Sequence, residues 1–371
     1  MRLSAIALLS LFGTSVQSVA ADTAFMSTET VKLKIDTVAS GLAHPWGIEF
    51  LPDGRMLVTE RDGRLRLVTP SGEISAPVTG LPNLVVAGQG GLLDVLVDKD
   101  FAKNQKIYLS YAEPGTNNTN STAVISATLK NAQLENSQVI FSQTPKYDSK
   151  YHFGGRLVQE NNGNVFVTLG DRGSQRAGVQ PLDTLIGKVA RITPSGEPAA
   201  GNPFIADKTA LPAIWSHGHR NIQGATLDSQ GRLWTHEHGP QGGDEINITQ
   251  AGKNYGWPLI TYGEEYGGGV IGKTSQAGLE QPLHYWLPSI APSGMRFYHA
   301  DLFKSWQNNL LVGSLKFGQL VRLEIKDDKV VHEERIRIGN RVRDVQVGPE
   351  GAVYLLTDED NGKILKLTPL P

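Results

Sequence analysis

The 371-residue sequence contains no cysteine, which excludes disulfides, thiolate nucleophiles, iron–sulfur clusters and cysteine zinc sites. An excess of one charge is also lacking, because 35 Lys and Arg stand against 37 Asp and Glu, for a formal net charge of −2. A near-neutral chain has no general electrostatic attraction to nucleic acid, so none is expected as a partner. Long apolar runs are missing too, since no stretch approaches the ~18 residues of a membrane-spanning helix.

The first residues, "MRLSAIALLSLFGTSVQSVAADTAF", run from a cationic start at Arg2 through an apolar segment to small residues before Asp22. This order is typical of a secretory signal peptide. We therefore expect residues 1–21 to be a signal peptide and residues 22–371 to form a single soluble domain, located in the periplasm. Without disulfides, the stability of this exported chain must come from core packing.

Stripes with helical periodicity are scarce, whereas short β-rich runs bounded by turn residues recur along the chain. Each run has a turn, then alternating apolar residues, then polar residues where the strand ends. Six such segments begin at Gly54, Gln105, Gly163, Gly231, Asn308 and Gly351. With loop insertions, their spacing fits the ~40 to 50 residues of a propeller blade. We predict an all-β fold, a six-bladed β-propeller of four-stranded antiparallel blades; the competing architecture is a pair of β-sandwiches.

In a propeller, strand ends and loops from different blades meet near the axis, so residues distant in sequence line one cleft. Lysine and arginine side chains converging there would form an electropositive pocket for a planar polyanion, because guanidinium groups bind carboxylates bidentately. Arg341 and Arg343 share a face if their segment is extended. The polar residues that fall in successive blade units are Gln89, His152, Asp171, Arg220, Asn221, Lys316, Arg341 and Arg343.

His152, in "YHFGGRLV", precedes two glycines and a strand-like run that would hold it firmly. A neutral imidazole accepts a proton near neutral pH, so His152 is a candidate general base. Taken alone, a structural histidine is the alternative. Trp286, in "HYWLPSIAPSG", would stack over a flat ring or a sugar, with core packing as its alternative.

Two short patterns resemble metal sites. In "HGH" and "HEH", histidines at i and i+2 share a strand face, although no further ligand is evident and packing at strand ends is the preferred interpretation. These pairs are His217 with His219 and His236 with His238. In "HEHGPQGGDEIN", the carbonyl groups of Gly239 and Pro240 are oxygen ligands of the kind that calcium takes, and a simple turn is the alternative.

The motifs "GQGGLLDV", "HFGGRLV", "GHRNIQG", "EHGPQGGDEIN", "NYGWP", "APSGM", "SLK" and "NRVRDV" follow one another between His44 and Leu367. In this order they resemble the soluble quinoprotein glucose dehydrogenase and aldose sugar dehydrogenase family, secreted six-bladed propellers that use pyrroloquinoline quinone (PQQ). The resemblance implies oxidation of aldose sugars at C1 to lactones, with PQQ and Ca²⁺ as cofactors and an unidentified electron acceptor. Dimer formation in the family depends on loops that have no match in this sequence, so the oligomeric state is open between a monomer and a weak dimer.

The resemblance assigns roles residue by residue. It implies that His152 is the catalytic base, that Arg220 lies beside the reactive quinone carbonyl, and that Asp171 lies near the reacting atoms. Substrate contacts would come from Gln89, Asp171 and Trp286. The cofactor would be held by Gln89, Arg220, Asn221, Lys316, Arg341 and Arg343. The backbone carbonyls of Gly239 and Pro240 would bind a calcium ion at the quinone, and those of Glu245 and Tyr255 a second, structural calcium ion.

One position departs from the family pattern. Glucose-specific members carry an acidic residue before the catalytic histidine, where this chain has Tyr151, so the orientation of the base and the sugar preference are open. Loops shorter than in the glucose-specific branch favour the aldose sugar dehydrogenase branch. Two other functions stay open: a calcium-dependent lactonase-type hydrolase, which predicts Glu, Asp and Asn at the inner strand ends, and a non-catalytic sugar-binding propeller.

Overall fold

The computed structural model describes residues 23–370, which are almost entirely strands and turns; the predicted signal peptide lies outside this range. The strands are β1 (Thr23–Ser27), β2 (Lys32–Leu42), β3 (Pro45–Phe50), β4 (Met56–Glu60), β5 (Arg64–Val68), β6 (Leu92–Val97), β7 (Lys106–Pro114), β8 (Asn120–Lys130), β9 (Gln133–Ser142), β10 (Gly154–Gln159), β11 (Val165–Leu169), β12 (Lys188–Ile192), β13 (Ile214–His217), β14 (Ile222–Leu227), β15 (Leu233–Glu237), β16 (Asp244–Ile248), β17 (His284–Trp286), β18 (Pro292–Phe297), β19 (Leu310–Ser314), β20 (Gln319–Lys326), β21 (Lys329–Arg337), β22 (Val342–Val347), β23 (Val353–Thr357) and β24 (Gly362–Pro369). One short helix, α1 (Phe101–Asn104), and two 3-10 turns, Arg176–Gly178 and Lys304–Trp306, are also present. Among the described helices, none combines the length and apolar character needed to cross a membrane.

The strands form six antiparallel sheets, numbered here as blades 1 to 6. Blade 1 contains β3 to β5, blade 2 contains β6 to β9, blade 3 contains β10 to β13, blade 4 contains β14 to β17, and blade 5 contains β18 to β21. Blade 6 joins β22 to β24 with β2 and β1 from the other end of the chain. Each predicted repeat opens the second strand of a different blade, so the predicted six-bladed propeller is confirmed. Two blades depart from four strands: blade 1 has three and blade 6 has five.

The ring is closed by pairing between the two ends of the chain. Strand β2 runs antiparallel to β24, from Leu33 opposite Pro369 to Leu42 opposite Gly362. Both leucines are fully buried. Because the sequence has no cysteine, this closure is not covalent, and backbone hydrogen bonds and apolar packing of the paired strands stabilise it.

The main apolar core consists of six clusters, each lying between two adjacent blades. Strand β4 shows how the sequence produces this arrangement: Leu57 packs toward blade 2, whereas Met56 and Val58 pack toward blade 6. Successive side chains of a strand point to opposite faces, and both faces of each blade are covered by a neighbour. The middle strands therefore read as continuous apolar runs.

The first strand of every blade lies next to the propeller axis. In each blade the ladder between the first and second strands has a register shift close to its start. Bulges of this kind bend a strand and redirect its side chains. The first residues of the inner strands, and the residues that follow the second strands, therefore meet at one end of the axis.

Arg156 of β10 blocks the axis below this point. Its Nη1 donates to Oδ1 of Asp94 at 2.9 Å and to Oδ2 of Asp344 at 3.2 Å, and its Nε donates to the carbonyl oxygen of Gln223 at 3.2 Å. The guanidinium also lies 4.4 Å from the ring centroid of Trp46. The charge of Arg156 is thus neutralised within the protein, and this layer forms a floor.

Candidate active site

A cavity of about 460 Å³ lies above this floor, at the end of the axis where the inner strands begin. All six blades contribute to its wall. The contributions, in blade order, are Trp46 and Arg61; Gln89 and Leu93; Phe153 and Gly154; Asn221, Gln223 and His238; Ala291, Leu315 and Lys316; and Arg341, Arg343 and Asp358. The structure therefore brings together five of the predicted site residues, namely Gln89, Asn221, Lys316, Arg341 and Arg343.

The wall of this central cavity is strongly cationic. It carries the side chains of Arg61, Lys316, Arg341 and Arg343, and within the described part of the chain Asp358 is its one acidic residue. Neither Arg61 nor Lys316 forms an ion pair with any described residue. The cavity therefore has a large excess of positive charge, which an anionic ligand would neutralise.

Asp358 positions two of these cations. Its Oδ2 accepts hydrogen bonds from Arg341 at 3.2 Å and from Arg343 at 3.0 Å, while its Oδ1 lies 2.8 Å from Nδ1 of His44. Burial acts to raise the pKa of Asp358, but Arg343, His44 and Arg341 outweigh it and hold that pKa far below its usual range. Asp358 is therefore an ionised counter-charge that holds the two arginines side by side, as their i and i+2 spacing predicts.

Arg343 is the more buried of the two, with 10% of its side chain exposed compared with 52% for Arg341. Its Nη1 lies 3.3 Å from Oε1 of Gln223, and its buried Nε has no partner among residues 23–370. A buried donor without a partner costs free energy unless a ligand supplies an acceptor. Arg343 therefore has an unused hydrogen bond at the cavity.

A second cavity, of about 760 Å³, adjoins the first at Gln89 and contains His152 and Arg220 on its wall. His152 lies there in a left-handed conformation with φ of 50°. Its backbone N–H donates to Oε1 of Gln89 at 2.8 Å. The carbonyl oxygen of His152 lies so close to Gly170 that a Cβ atom at position 170 would be 2.0 Å away, so only glycine fits there.

Arg172 holds the loop before His152 from behind. Its buried guanidinium donates to the carbonyl oxygen of Tyr151 at 2.7 Å and to that of Ser149 at 3.0 Å. Tyr151 itself is exposed, with its ring edge-on to the imidazole at 6.4 Å. The imidazole of His152 is oriented by Asp171 and not by the residue before it, so the departure at Tyr151 leaves the orientation of the base intact.

Asp171 orients the imidazole of His152. The Nδ1 atom of His152 lies 2.6 Å from Oδ1 of Asp171. Because a carboxylate oxygen only accepts hydrogen bonds, Nδ1 carries the proton, and Nε2 keeps its free lone pair toward the cavity. Burial lowers the pKa of His152, and this outweighs the opposite effect of Asp171. His152 is thus neutral at neutral pH and is able to accept a proton through Nε2.

Asp171 is fully buried, so the prediction that it also contacts substrate is wrong. Its oxygens are occupied by protein donors: Oδ1 also accepts from the backbone N–H of Gly173 at 2.7 Å, and Oδ2 accepts from Nε1 of Trp257 at 2.8 Å. Asp171 does lie near the predicted site of reaction, because it contacts the imidazole of His152. Asp171 therefore acts on substrate only by orienting His152.

Arg220 lies between His152 and the "HEHGP" turn. Its Nη1 donates to the carbonyl oxygens of His238 at 3.1 Å and Gly239 at 2.8 Å. Its backbone N–H donates to Glu237, and its buried Nε has no partner within the described part of the chain. Like Arg343, this arginine has a donor left for a ligand.

The predicted calcium ligands are split between two cavities. Gly239, Glu245 and Tyr255 line a very small cavity of about 10 Å³ with Glu237. Pro240 lines a different cavity of about 460 Å³, which is separate from the central cavity and meets it at Lys316. A Cβ atom at Gly239 would lie 2.1 Å from the carbonyl oxygen of Gly242, so the turn packs oxygens tightly around this point. Carbonyl and carboxylate oxygens are the donor set that Ca²⁺ prefers.

The small cavity is electrostatically unfavourable without a cation. Burial raises the pKa of Glu245 well above its usual value, and the neighbouring Glu237 raises it further. No cluster of at least three His, Asp or Glu side chains suited to a metal ion occurs within residues 23–370. A metal ion here would therefore depend on backbone carbonyls, as the resemblance implies.

The prediction for Trp286 is wrong. This side chain is 2% exposed and packs in the core between blades 4 and 5, where its Nε1 donates to Oε2 of Glu333 at 2.9 Å. Strand β17 alternates, so its neighbours Tyr285 and Leu287 are exposed instead. Trp286 therefore serves packing, which was the alternative interpretation.

Two of the four paired histidines, His219 and His238, have hydrogen-bond partners among the described residues, whereas Nδ1 of His217 and both ring nitrogens of His236 are buried without one. His219 contacts Ser216 through Nε2 at 2.8 Å and Glu237 through Nδ1 at 3.0 Å, and Nε2 of His238 lies 2.7 Å from the carbonyl oxygen of Pro292. His236 is fully buried, and burial holds its pKa well below the usual value. These contacts fit packing at strand ends.

Several site residues were not predicted. Arg61 and Asp358 directly follow the second strands of blades 1 and 6, the same repeat position that holds His238 in blade 4. Aligning the six repeats at their strand ends would have found both. Trp257 had no such signal, because it lies in the long segment between β16 and β17.

Fold and site together define a class: an all-β propeller whose axis opens into a cationic cavity next to a histidine–aspartate pair. The chain belongs to the family described as Glucose / Sorbosone dehydrogenase, whose model matches residues 42–366. This confirms the resemblance that the motifs carry.

Individual relatives support the same assignment. Aldose sugar dehydrogenase YliI of Escherichia coli (strain K12) is 44% identical over 346 residues, which cover 91% of this chain and 93% of that protein. The apo-form crystal structure of the soluble aldose sugar dehydrogenase from Escherichia coli has a TM-score of 0.88 at 43% identity, covering 91% of this chain and 100% of that one. The PQQ-bound aldose sugar dehydrogenase from Streptomyces coelicolor has a TM-score of 0.75 at 25% identity, covering 94% and 100%.

Proposed function

We propose that this protein is a PQQ-dependent dehydrogenase that oxidises aldose sugars at C1 to lactones. One observation carries the proposal: four cationic side chains and one carboxylate line a cavity that adjoins the His152–Asp171 pair. Membership in the glucose/sorbosone dehydrogenase family supports the sugar substrate. A relative with bound PQQ supports the cofactor.

The residues of the central cavity fit this cofactor. PQQ is a flat tricarboxylate, and the excess of positive charge on the wall matches such an anion. The unpartnered Nε of Arg343 on this wall and that of Arg220 in the adjoining cavity supply donors that no described residue uses. We assign the binding of PQQ to Gln89, Arg220, Asn221, Lys316, Arg341 and Arg343, together with Arg61. When bound, PQQ supplies the acceptor for two electrons from the sugar.

His152 then acts as the general base. Its Nε2 accepts the proton of the C1 hydroxyl group while C1 loses a hydride, so that the C1–O bond becomes the carbonyl of the lactone. The ionised Asp171 stabilises the imidazolium that forms and keeps the reactive tautomer in place. Arg220, on the wall of the same cavity, would place a fixed positive charge beside the quinone carbonyl that receives the electrons.

We further propose that Ca²⁺ binds at the carbonyl groups of Gly239 and Pro240, and that a structural Ca²⁺ binds at those of Glu245 and Tyr255. The donor chemistry of the turn and the facing carboxylates of Glu237 and Glu245 support this. We also propose that residues 1–21 direct export and that residues 22–371 act in the periplasm as one domain. The assembly would be a monomer or weak dimer.

The sign of the charge argues against a lactonase-type hydrolase. Such an enzyme needs carboxylate and amide oxygens at the inner strand ends to hold a central calcium ion. The corresponding wall here is cationic, and its one described carboxylate, Asp358, is engaged by Arg341 and Arg343.

The proposal is tested by reconstitution. Purified mature protein is mixed with PQQ and Ca²⁺, PQQ binding is measured by calorimetry, and oxidation of a panel of aldoses is followed with a redox dye and by detection of the lactone. We expect binding and dye reduction, and His152→Gln should retain binding but lose ~10²-fold or more of the turnover. Binding of PQQ without oxidation of any aldose would reject the enzyme assignment.

A further inference from the structure

Trp257 contacts the two groups on which the proposed chemistry depends. It lies in the segment between β16 and β17 and is 4% exposed. Its Nε1 donates to Oδ2 of Asp171 at 2.8 Å. The guanidinium of Arg220 lies 5.3 Å from the centroid of its ring. One indole from blade 4 thus bridges the carboxylate behind the base and the arginine beside it.

The indole is itself held on other sides. Arg176 lies 5.1 Å from the ring centroid and forms a bidentate ion pair with Glu265, through Nη1 to Oε1 and through Nη2 to Oε2 at 2.9 Å. Val179 and Ile186, both fully buried, pack with Trp257 in a small apolar cluster. A side chain fixed in this way has little freedom to move away from Asp171.

We propose that Trp257 is a positioning residue that fixes Asp171, and through it the imidazole of His152, relative to Arg220. This inference rests on the proposed function, because it assigns a purpose to the geometry around the base. Asp171 accepts hydrogen bonds from His152, Gly173 and Trp257. Among residues 23–370, only the indole donates to Oδ2, and together with the Gly173 N–H on Oδ1 it fixes the orientation of the carboxylate beside the imidazole.

Removal of this donor has a predictable effect on His152. Without the indole N–H, the negative charge of Asp171 is less stabilised, so the carboxylate attracts the imidazolium more strongly and raises the pKa of His152. Water that enters the space left by a smaller ring acts in the same direction. The base would then be protonated at a pH where the native imidazole is neutral.

Trp257→Phe removes no charged group from the surroundings of His152. Burial and the cations Arg220 and Arg172 lower the pKa of His152, and Asp171 raises it. The ring of Tyr151 lies edge-on to the imidazole. The remaining charged or titratable groups on the cavity wall are Asp148, Lys150, Arg176 and Tyr266. Arg176 and Arg220 also contact the ring at position 257, and Trp257→Phe keeps an aromatic ring beside both of them.

The test uses Trp257→Phe in the cofactor-free protein, with the titration of His152 followed by NMR and assigned with His152→Gln. We expect the pKa of His152 to rise by about one unit. Trp234→Phe is the matched control, because Trp234 is also buried and its Nε1 also donates to a carboxylate, Oδ2 of Asp228, at 2.9 Å. Val179→Ala loosens the packing around Trp257 without removing the N–H.

An unchanged pKa in Trp257→Phe, or an equal rise in Val179→Ala, would overturn the proposal. The reconstituted enzyme gives a second readout: kcat should fall ~10-fold or more with little change in KM, because the base is misplaced rather than the sugar site. The NMR titration needs neither PQQ nor turnover. If no aldose is oxidised, the proposed function fails while the titration still decides whether Trp257 controls His152.

Discussion

Nδ1 of His152 and Oδ1 of Asp171 lie 2.6 Å apart at one end of the strand pair β10 and β11 in blade 3. His152 comes just before β10 and Asp171 just after β11. The antiparallel pairing that places Gly154 opposite Leu169 therefore also places the acid behind the base. The pair is a consequence of blade geometry.

Substitution of Asp171 by asparagine tests this pair. An amide at position 171 that donates to Nδ1 forces the proton onto Nε2, where the imidazole no longer accepts a proton from the sugar. We expect kcat to fall by ~10² to 10⁴, as when a general base is lost. The measurement is steady-state kinetics with saturating PQQ, and calorimetry should show PQQ affinity within about threefold of the native protein. A kcat close to the native value would show that Asp171 does not set the tautomer.

The pH dependence of the reaction follows from the same site. Because burial lowers the pKa of His152, the imidazole loses its proton at a pH lower than the usual histidine pKa of about 6.5. We expect kcat/KM to rise with pH as His152 loses its proton, with a midpoint below about pH 6.5, and to stay constant at higher pH. A pH profile of kcat/KM with a slowly reacting aldose measures this midpoint. A midpoint clearly above the ordinary value would contradict the burial of the base.

Much of this arrangement could be predicted from the sequence. The six repeats indicate where the strands end, and strand ends on one side of a propeller converge. The sequence therefore predicted that Lys316, Arg341 and Arg343 would lie together, as they do on the wall of the central cavity. The prediction failed where one residue of register decides the outcome: Trp286 is buried while Tyr285, next to it in β17, is exposed. The contact between Asp171 and Trp257 spans 86 positions of the chain, and no local pattern indicates it.

The two paired arginines should differ in their effect on PQQ binding. Arg343 is nearly buried and keeps an unpartnered Nε, whereas half of the Arg341 side chain is exposed to solvent, which screens its charge. We expect Arg343→Ala to weaken PQQ binding ~10²-fold or more and Arg341→Ala to weaken it by less than ~10-fold. Calorimetry on both variants at one ionic strength makes the comparison. Equal losses, or a larger loss for Arg341→Ala, would place the anion at the exposed arginine.

Calcium should stabilise the protein through the small cavity that contains Glu237 and Glu245. A cation there offsets the repulsion of the two carboxylates, and any ligand that binds only the folded state adds ~2.7 kcal/mol at a hundredfold excess over its Kd. We expect Ca²⁺ to raise the Tm of chelator-treated protein. The increase should be smaller in Glu245→Gln, which keeps the backbone carbonyl but loses the charge. A Tm that does not change with Ca²⁺ would contradict the proposed structural calcium site.

Asp358 connects the stability of the protein to its ligand. It is the carboxylate that offsets Arg341 and Arg343, and its lowered pKa means that this stabilisation is complete above the unfolded-state pKa of about 3.9 and is lost as pH falls through the folded-state pKa. We expect Asp358→Asn to lower the free energy of unfolding at pH 7 by about 3 kcal/mol, because two arginines then face each other without a counter-charge.

Saturating PQQ should restore a large part of this loss, because a bound tricarboxylate supplies the negative charge that the asparagine lacks. Denaturant unfolding of native and variant protein, each with and without PQQ, separates the two effects. The ligand should stabilise Asp358→Asn more than the native protein. Equal stabilisation of both would mean that the anion does not sit among the cations that Asp358 holds, and the central cavity would no longer be the PQQ site.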